Sequence, residues 1–130
     1  MNEVLEFLRS CGVYYLATVD EAGHAKCRPF GTINIFEGKL YIQTGKRKEV
    51  SKQMKLNPFV EIVAFKDGAW LRLSGKACLD ERVEAQIDML DKYPELKGMY
   101  QPNDGNNEVF YLEDPHAVIH SFKDGDKVLL

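Results

Sequence analysis

Five consecutive residues, TGKRK at positions 44–48, combine a hydroxyl with three cations where an alternating strand pattern changes to a helical one. The helical pattern continues to Asn57-Pro58, where proline ends it. A helix N-terminus presents free N–H groups and partial positive charge, so cations beside it are unfavourable unless an anion offsets them. Segment 44–48 is therefore predicted to bind a phosphate group; the alternative is a basic surface that contacts only solvent.

A second cluster lies on an earlier strand, where Arg28 precedes Pro29, Phe30 and Gly31. Proline and glycine cannot both occupy the middle of a regular ladder, which predicts a bulge or an edge strand here. We expect this strand to pair with the strand that ends at Thr44. Arg28 would then reach the same phosphate, and the irregular backbone would receive a flat ring. The alternative is a bulge with an arginine on the surface.

The sequence gives little indication of other catalytic or metal-binding sites. The sequence contains no GxSxG, GxGxxG or GxxxxGK[ST] motif, the signatures of serine hydrolases, dinucleotide folds and phosphate loops. His116 and His120 have the spacing of one strand face or one helical turn, but no third ligand-rich segment accompanies them, so structural or exposed histidines are favoured over a metal site. The three cysteines are far apart and form no CxxC pair, which favours a reduced compartment.

Length and composition predict one domain spanning residues 1–130, since 130 residues with 45% hydrophobic and 28% charged side chains can bury a core of their own. The formal net charge of -3 argues against nucleic acid as a partner. No apolar run approaches the roughly 20 residues that span a bilayer. Glu3 and Glu6 stand where a signal peptide would carry basic and apolar residues, so we expect a cytoplasmic protein with no membrane contact.

The elements that must position these clusters are short strands in hairpins, with helices between them. The spacing of apolar residues predicts helices over 2–11, 46–56 and 80–93. Alternation and turn residues predict an irregular surface loop over 98–107 and strands over 13–19, 25–36, 39–44, 59–65, 69–79, 108–113, 117–122 and 128–130. Strands and helices do not alternate strictly, as a parallel sheet would require. The predicted fold is therefore mainly β, an antiparallel β-barrel with peripheral helices.

The sequence resembles the pyridoxamine 5'-phosphate oxidase-like flavoproteins in five motifs that occur in the same order: YYLATVD (14–20), CRPFG (27–31), KLYIQTGKRKEVSKQMKLNP (39–58), FVEIVAF (59–65) and WLRLSGKA (70–77). The resemblance covers residues 1–80, and the C-terminal strands are compatible with it. It implies the antiparallel FMN-binding split-barrel fold, with FMN as the cofactor.

The resemblance also implies a homodimer that holds two FMN molecules at its interface, with each flavin site built from both chains. Carried over to this sequence, Arg28, Thr44 and Lys48 would hold the FMN phosphate. Lys46 would be a supporting cation.

Four further residues are assigned to the flavin ring and its surroundings by the same resemblance. Pro29 and Phe30 would lie along the isoalloxazine ring. Trp70 and Gln101 would belong to the wall that the partner subunit supplies. For Trp70 the alternative is packing in the dimer interface, where tryptophan is common.

The implied function is that of an FMN-dependent oxidoreductase acting on a small-molecule electron donor or acceptor. The Arg-x-His substrate motif of the oxidases proper is absent at residues 120–122, so oxidation of pyridoxamine phosphate is not expected. The long basic helix between Lys48 and Pro58 is more similar to the small nitroimidazole-resistance-type members. The alternatives are haem or a deazaflavin at the same basic rim, or a noncatalytic protein that senses or stores flavin and signals through loop 98–107.

Overall fold

The computed structural model describes residues 1–130 and contains eight strands, three α-helices and one short 3-10 helix. The α-helices are α1 (Asn2–Cys11), α2 (Glu49–Leu56) and α3 (Val83–Lys92), and the 3-10 helix spans Pro94–Gly98. The strands are β1 (Tyr14–Val19), β2 (Ala25–Phe30), β3 (Asn34–Phe36), β4 (Lys39–Gly45), β5 (Phe59–Lys66), β6 (Ala69–Asp80), β7 (Asn107–Ser121) and β8 (Gly125–Val128). None of the helices is long and apolar enough to cross a membrane.

All strand pairings are antiparallel, in the order β2-β1-β5-β6-β7-β4-β3, with β8 added beside β7. Strands β2 and β3 end this order on opposite sides, yet only residues 31–33 separate them in the chain. A connection of three residues spans at most about 14 Å. The sheet must therefore curl until its two edge strands face each other. The edges do not pair, which makes the structure an open, split barrel and confirms the predicted fold class.

The interior of the barrel is a cluster of 18 buried apolar residues, to which the strands and two helices contribute. Along β1, Tyr14 and Leu16 are buried while Tyr15 between them is half exposed, as expected for a strand with one face on the core. Helices α1 and α2 pack one apolar face each onto this interior and so cover it. The buried residues on those faces are Val4, Leu8, Val50 and Met54.

The region predicted as one strand over 25–36 is two strands, and this corrects an expected pairing. Only β3 pairs with β4, whereas β2, which carries Arg28, pairs with β1 and forms the edge of the sheet. Pro29 has no N–H to donate to a second neighbour, so an edge position suits it. Arg28 therefore does not lie opposite the strand that ends at Thr44.

The segments predicted as two strands over 108–113 and 117–122 form the single strand β7. The chain passes through Asp114, whose φ is 49°, and Pro115 without ending the strand. A bulge in β6 between Ser74 and Lys76 absorbs this irregularity. Gly75 lies at the bulge, where a Cβ would be only 3.2 Å from the carbonyl oxygen of Glu113.

A charged network fastens the end of β6 to the turn before β4. The guanidinium of Arg82 donates to the carboxylates of Asp80 and Glu37, with the shortest contact at 2.8 Å to Glu37. The hydroxyl of Tyr41 donates to Asp80 Oδ2 at 2.7 Å. The hydrogen bond from Arg82, followed by that from Tyr41, lowers the pKa of the buried Asp80 carboxyl to about 2. Burial and the bond to Asp80 raise the pKa of Tyr41 to about 12.

We expect this network to make stability depend on pH in the acid range. In the unfolded chain Asp80 takes up a proton near its usual pKa of about 4, whereas in the folded chain it does so only near about 2. The stability that the carboxylate contributes is therefore present above about pH 4 and is lost as the pH falls toward 2. Denaturant unfolding at several pH values should show a steeper loss for the wild type than for Asp80→Asn, and parallel curves would contradict this role.

Candidate functional site

A cavity of about 440 Å³ opens beside the split edge of the barrel, between the end of β2, the start of α2 and the 3-10 helix. Its volume lies in the usual range of small-molecule sites. Four of the residues singled out in the sequence line it, namely Pro29, Phe30, Thr44 and Lys48. Thus the two clusters that are far apart in sequence share one cavity, although their strands do not pair.

Thr44 provides a buried hydroxyl that has no partner in the protein. Its side chain is on β4, opposite Glu108 of β7, and the residue is only 2% exposed. The Oγ1 atom forms no hydrogen bond. A buried polar group without a partner costs about 1–3 kcal/mol, so this residue in a cavity wall indicates a place for a polar ligand group.

The start of α2 carries three cations that form no ion pair, and the one acidic residue of its first turn, Glu49, pairs with Lys52. No side chain caps the helix N-terminus, whose N-cap residue is Lys48. Lys46, Arg47 and Lys48 are all exposed, and none of them forms an ion pair within the chain. The partial charge of the helix end adds to these cations. The arrangement is suited to an anion, and a phosphate is the common ligand of such helix ends.

The loop predicted over 98–107 supports this turn from behind. The backbone carbonyl of Asn106 accepts from the N–H of Lys46 at 2.7 Å, and its Oδ1 accepts from the N–H of Arg47 at 3.2 Å. The carboxylate of Asp104 accepts from three backbone N–H groups of the same loop. These bonds, that of Asn107 most, lower the pKa of Asp104. The loop is therefore internally tied and holds residues 46 and 47 in place.

Helix α2 itself is anchored to β7 by a buried carboxylate. Glu108, 8% exposed, accepts a hydrogen bond from the Ser51 hydroxyl and an ion-paired contact of 2.7 Å from Lys55 Nζ. Glu108 is the neighbour of Thr44 across the β4–β7 ladder. This strand pair therefore positions both helix α2 and the Thr44 hydroxyl.

Arg28 points toward α2 and does not line the cavity. Its guanidinium donates to Thr18 Oγ1 at 2.6 Å and to Gln53 Oε1 at 2.7 Å, and the Thr18 hydroxyl in turn donates to Gln53. No carboxylate pairs with it, and partial burial lowers the pKa of Arg28. Arg28 is thus a further cation without an ion pair. It is bound to Gln53 in the second turn of α2, whereas the cavity lies at the start of the same helix.

The other three predicted site residues lie elsewhere in the single chain. Lys46 lines a separate polar cavity of about 310 Å³. Trp70, at the beginning of β6, stacks on His120 with the ring centroids 5.3 Å apart. Its ring centroid is 5.0 Å from that of Phe122. Gln101 is exposed, and its side-chain amide donates to the carbonyl of Lys97.

A larger cavity of about 570 Å³ lies on the outer face of the sheet, across β1, β5 and β6. Apolar groups such as Val19 and Phe59 line it, with Lys76 as its only lysine or arginine. It contains neither an unpaired buried hydroxyl nor a helix end, so it lacks the features that mark the smaller cavity as a site for an anion.

Sequence reasoning missed the wall that follows α3. Leu96, Met99 and Tyr100 line the cavity together with Thr44 and Lys48. Local patterns indicate only a loop here, because the bonds that bring it against the start of α2, from Lys46 and Arg47 to Asn106, join residues about 60 positions apart. The one usable signal was a pair of large side chains, Met99 and Tyr100, at the start of a segment otherwise rich in glycine and asparagine.

The open antiparallel barrel, with a cavity beside an uncapped and basic helix N-terminus, defines a split-barrel protein. A family model described as pyridoxamine 5'-phosphate oxidase matches residues 1–119. The chain therefore belongs to the pyridoxamine 5'-phosphate oxidase family. No curated protein matches the sequence.

Solved structures support the fold over almost the whole chain. A NimC/NimA family protein from Clostridium acetobutylicum is 41% identical, with a TM-score of 0.94, and the match covers 99% of this chain and 90% of that one. A candidate pyridoxamine 5'-phosphate oxidase from Listeria innocua is 20% identical, with a TM-score of 0.69 and coverage of 98% and 96%. A haem-binding protein from Mycobacterium smegmatis is 18% identical, with a TM-score of 0.72 and coverage of 91% and 52%.

The free hydroxyl of Thr44 gives a direct test on the protein without ligand. Thr44→Val removes a buried group that has no partner, so we expect the free energy of unfolding to stay the same or rise by about 1 kcal/mol. Thr18→Val makes the same chemical change where the hydroxyl serves Arg28 and Gln53, and should lower stability. Denaturant unfolding of the apoprotein compares the two. An equal loss in both variants would show that Thr44 has a partner in the folded chain.

Proposed function

We propose that this chain is an FMN-binding flavoprotein and that it works as an oxidoreductase on a small-molecule electron donor or acceptor. The observation that carries the proposal is the cavity that joins Pro29 and Phe30 to the unpaired Thr44 hydroxyl and to Lys48. The lining combines apolar side chains with a lysine at a helix N-terminus, which matches a ligand that has a flat ring and a phosphate; its one carboxylate, Glu95, is exposed. The residues present therefore fit FMN.

The phosphate end of FMN would be held by Thr44, Lys48 and the free N–H groups at the start of α2. Arg28 would add positive potential from the inner side of the helix. Exposed Lys46 would be a supporting cation. Each of these cations lacks an ion pair in the chain, so a phosphate would supply the missing counter-charge.

The ring end of FMN would lie against Pro29 and Phe30, with Leu96 and Met99 on the opposite wall. Bound FMN would supply the transfer of electrons between donor and acceptor. The contribution of the protein is to orient the ring, to exclude water with these apolar side chains and to hold the phosphate. No side chain is assigned as an acid or a base.

We further propose that the protein acts as a homodimer and that the partner copy completes the flavin site. On the outer face of the sheet, Pro29, Tyr15, Val63, Arg72 and Val118 are ladder neighbours across five strands. Arg72 is the one charged member of this row, and it forms an ion pair with Glu61. Large apolar side chains on this face are exposed, among them Phe65 at 63% and Val128 at 73%. An apolar patch of this kind favours association, and Pro29 joins it to the cavity.

Trp70 and Gln101 are assigned in this proposal to the wall from the partner copy. Trp70 lies on the exposed sheet face beside Phe122, which is 83% exposed, so a second copy would cover both. Gln101 is exposed on the loop behind α2. The cytoplasm is the proposed location, supported by three free cysteines, Cys11, Cys27 and Cys78.

A haem or a deazaflavin in the same cavity, and a protein that binds flavin without turnover, are the competing functions. No histidine or cysteine lines the cavity, but methionine and tyrosine, which also ligate haem iron, are present as Met99, Tyr93 and Tyr100, so the lining does not separate flavin from haem. The absorption spectrum of the purified protein separates the cofactors: flavin bands support the proposal, and a Soret band would replace it with haem. Reduction by NADH or NADPH, with a nitroaromatic compound as acceptor, separates an enzyme from a sensor.

The phosphate assignment is tested by titrating apoprotein with FMN. We expect saturation at one FMN per chain, and we expect Lys48→Ala to weaken binding by about 1.5–3 kcal/mol, the range for hydrogen bonds to charged groups. Lys123→Ala is the matched control, because Lys123 is an exposed lysine on the turn between β7 and β8. Equal affinities in the two variants would exclude Lys48 from the site.

The shared site is tested by placing a charge on the outer sheet face. Phe65→Asp would bury an unpaired carboxylate in the proposed interface, because its ladder neighbour is Trp70, so we expect sedimentation to show a monomer that has also lost FMN affinity. Ile87→Asp places the same charge on α3, where Ile87 is 42% exposed, and should remain a dimer. A Phe65→Asp monomer that keeps its FMN would contradict a site built from two chains.

A further inference from the structure

The cavity contains a second hydroxyl that the protein does not use. Tyr100 is 6% exposed and lines the cavity together with Thr44 and Lys48. No residue of the chain forms a hydrogen bond with its hydroxyl, although its backbone N–H donates to the carbonyl of Leu96 at 2.8 Å. The side chain is therefore buried, while its hydroxyl has no partner in the protein.

The position of this hydroxyl is marked by Gly45, the last residue of β4. A Cβ at Gly45 would lie 3.0 Å from Tyr100 Oη and 3.3 Å from the side-chain amide of Asn106. Gly45 lies directly between Thr44 and the basic residues at the start of α2. Tyr100 Oη consequently lies beside the end of β4, where the phosphate site is proposed.

Tyr93, the other tyrosine of this wall, shows what a structural hydroxyl does in the same cavity. Its hydroxyl accepts from the N–H of Ile33 at 3.1 Å and donates to the carbonyl of Ile33 at 3.0 Å. It is thereby used to fasten the connection between β2 and β3. Tyr100 makes no such bond, so its hydroxyl remains available to a ligand.

We propose that Tyr100 donates a hydrogen bond to the phosphate group of the bound ligand and makes the site selective for the phosphorylated form of the flavin. The inference rests on the proposed function, since it names a further residue of the same site. A phosphate monoester presents three terminal oxygens, enough for Thr44, Lys48 and Tyr100 to bind it from two sides. Asp104 and Asn106 are positioning residues, because they tie the loop that carries Tyr100 to the start of α2.

The test compares FMN with riboflavin, which has the same ring and no phosphate. We expect Tyr100→Phe to weaken FMN about ten-fold or more and to leave riboflavin unchanged, because only the hydrogen bond to the charged group is lost. Tyr111→Phe, the same change on β7 outside the cavity, should alter neither affinity. Equal effects of Tyr100→Phe on FMN and riboflavin, or no effect on either, would overturn the proposal.

A second measurement separates this inference from the proposed function. If the wild type binds neither flavin, the proposed function fails, and the role of Tyr100 is then decided with inorganic phosphate. A rise in Tm with phosphate that is clearly smaller in Tyr100→Phe than in the wild type and Tyr111→Phe would support a phosphate-binding hydroxyl. Rises of the same size in all three proteins, or no rise in any of them, would overturn it.

Discussion

Unneutralised positive charge at the start of α2 is the constraint on which the rest of the site depends. Three cations share one turn of chain with a helix N-terminus that no side chain caps. None of the three forms an ion pair, and the Glu49 carboxylate of the first helical turn pairs with Lys52. Such a turn is unfavourable by itself, and the protein holds it from two sides. Glu108 fixes the helix to β7 from within, and Asn106 binds the backbone of residues 46 and 47 from the loop. These contacts hold the charged turn in place against the sheet and the loop.

The split in the barrel provides the space next to this charge. A closed barrel would pair β2 with β3 and fill the gap with ladder hydrogen bonds. Here Pro29 lies on β2 at the edge, and residues 31–33 cross to β3 without pairing. The gap receives apolar walls from Phe30 on one side and Met99 on the other. A polar end and an apolar slot are thus produced by two separate features of the fold, the helix start and the unpaired edge.

Much of this could be predicted from sequence because the determining patterns are local. The basic turn after Thr44, the proline on β2 and the hairpin turns are each specified by a few consecutive residues, and the structure has these features where the sequence indicates them. Predictions that required long-range information did less well. The predicted pairing of the Arg28 strand with β4 was wrong because the chain turns away at residues 31–33. The predicted break of β7 at Pro115 was wrong because the bulge that accommodates this proline lies in the neighbouring strand β6. Tyr100 was missed for the same reason: its role is visible only once β4 and the loop are brought together.

The most direct test of the account is a crystal structure of the protein grown with FMN. We expect a phosphate at the start of α2, in contact with Thr44 and Lys48 and within hydrogen-bond distance of Tyr100 Oη, and a ring beside Phe30. A flavin bound instead in the cavity of about 570 Å³ on the outer face of the sheet, with no phosphate at α2, would contradict it. The positive charge of the turn would then need another explanation.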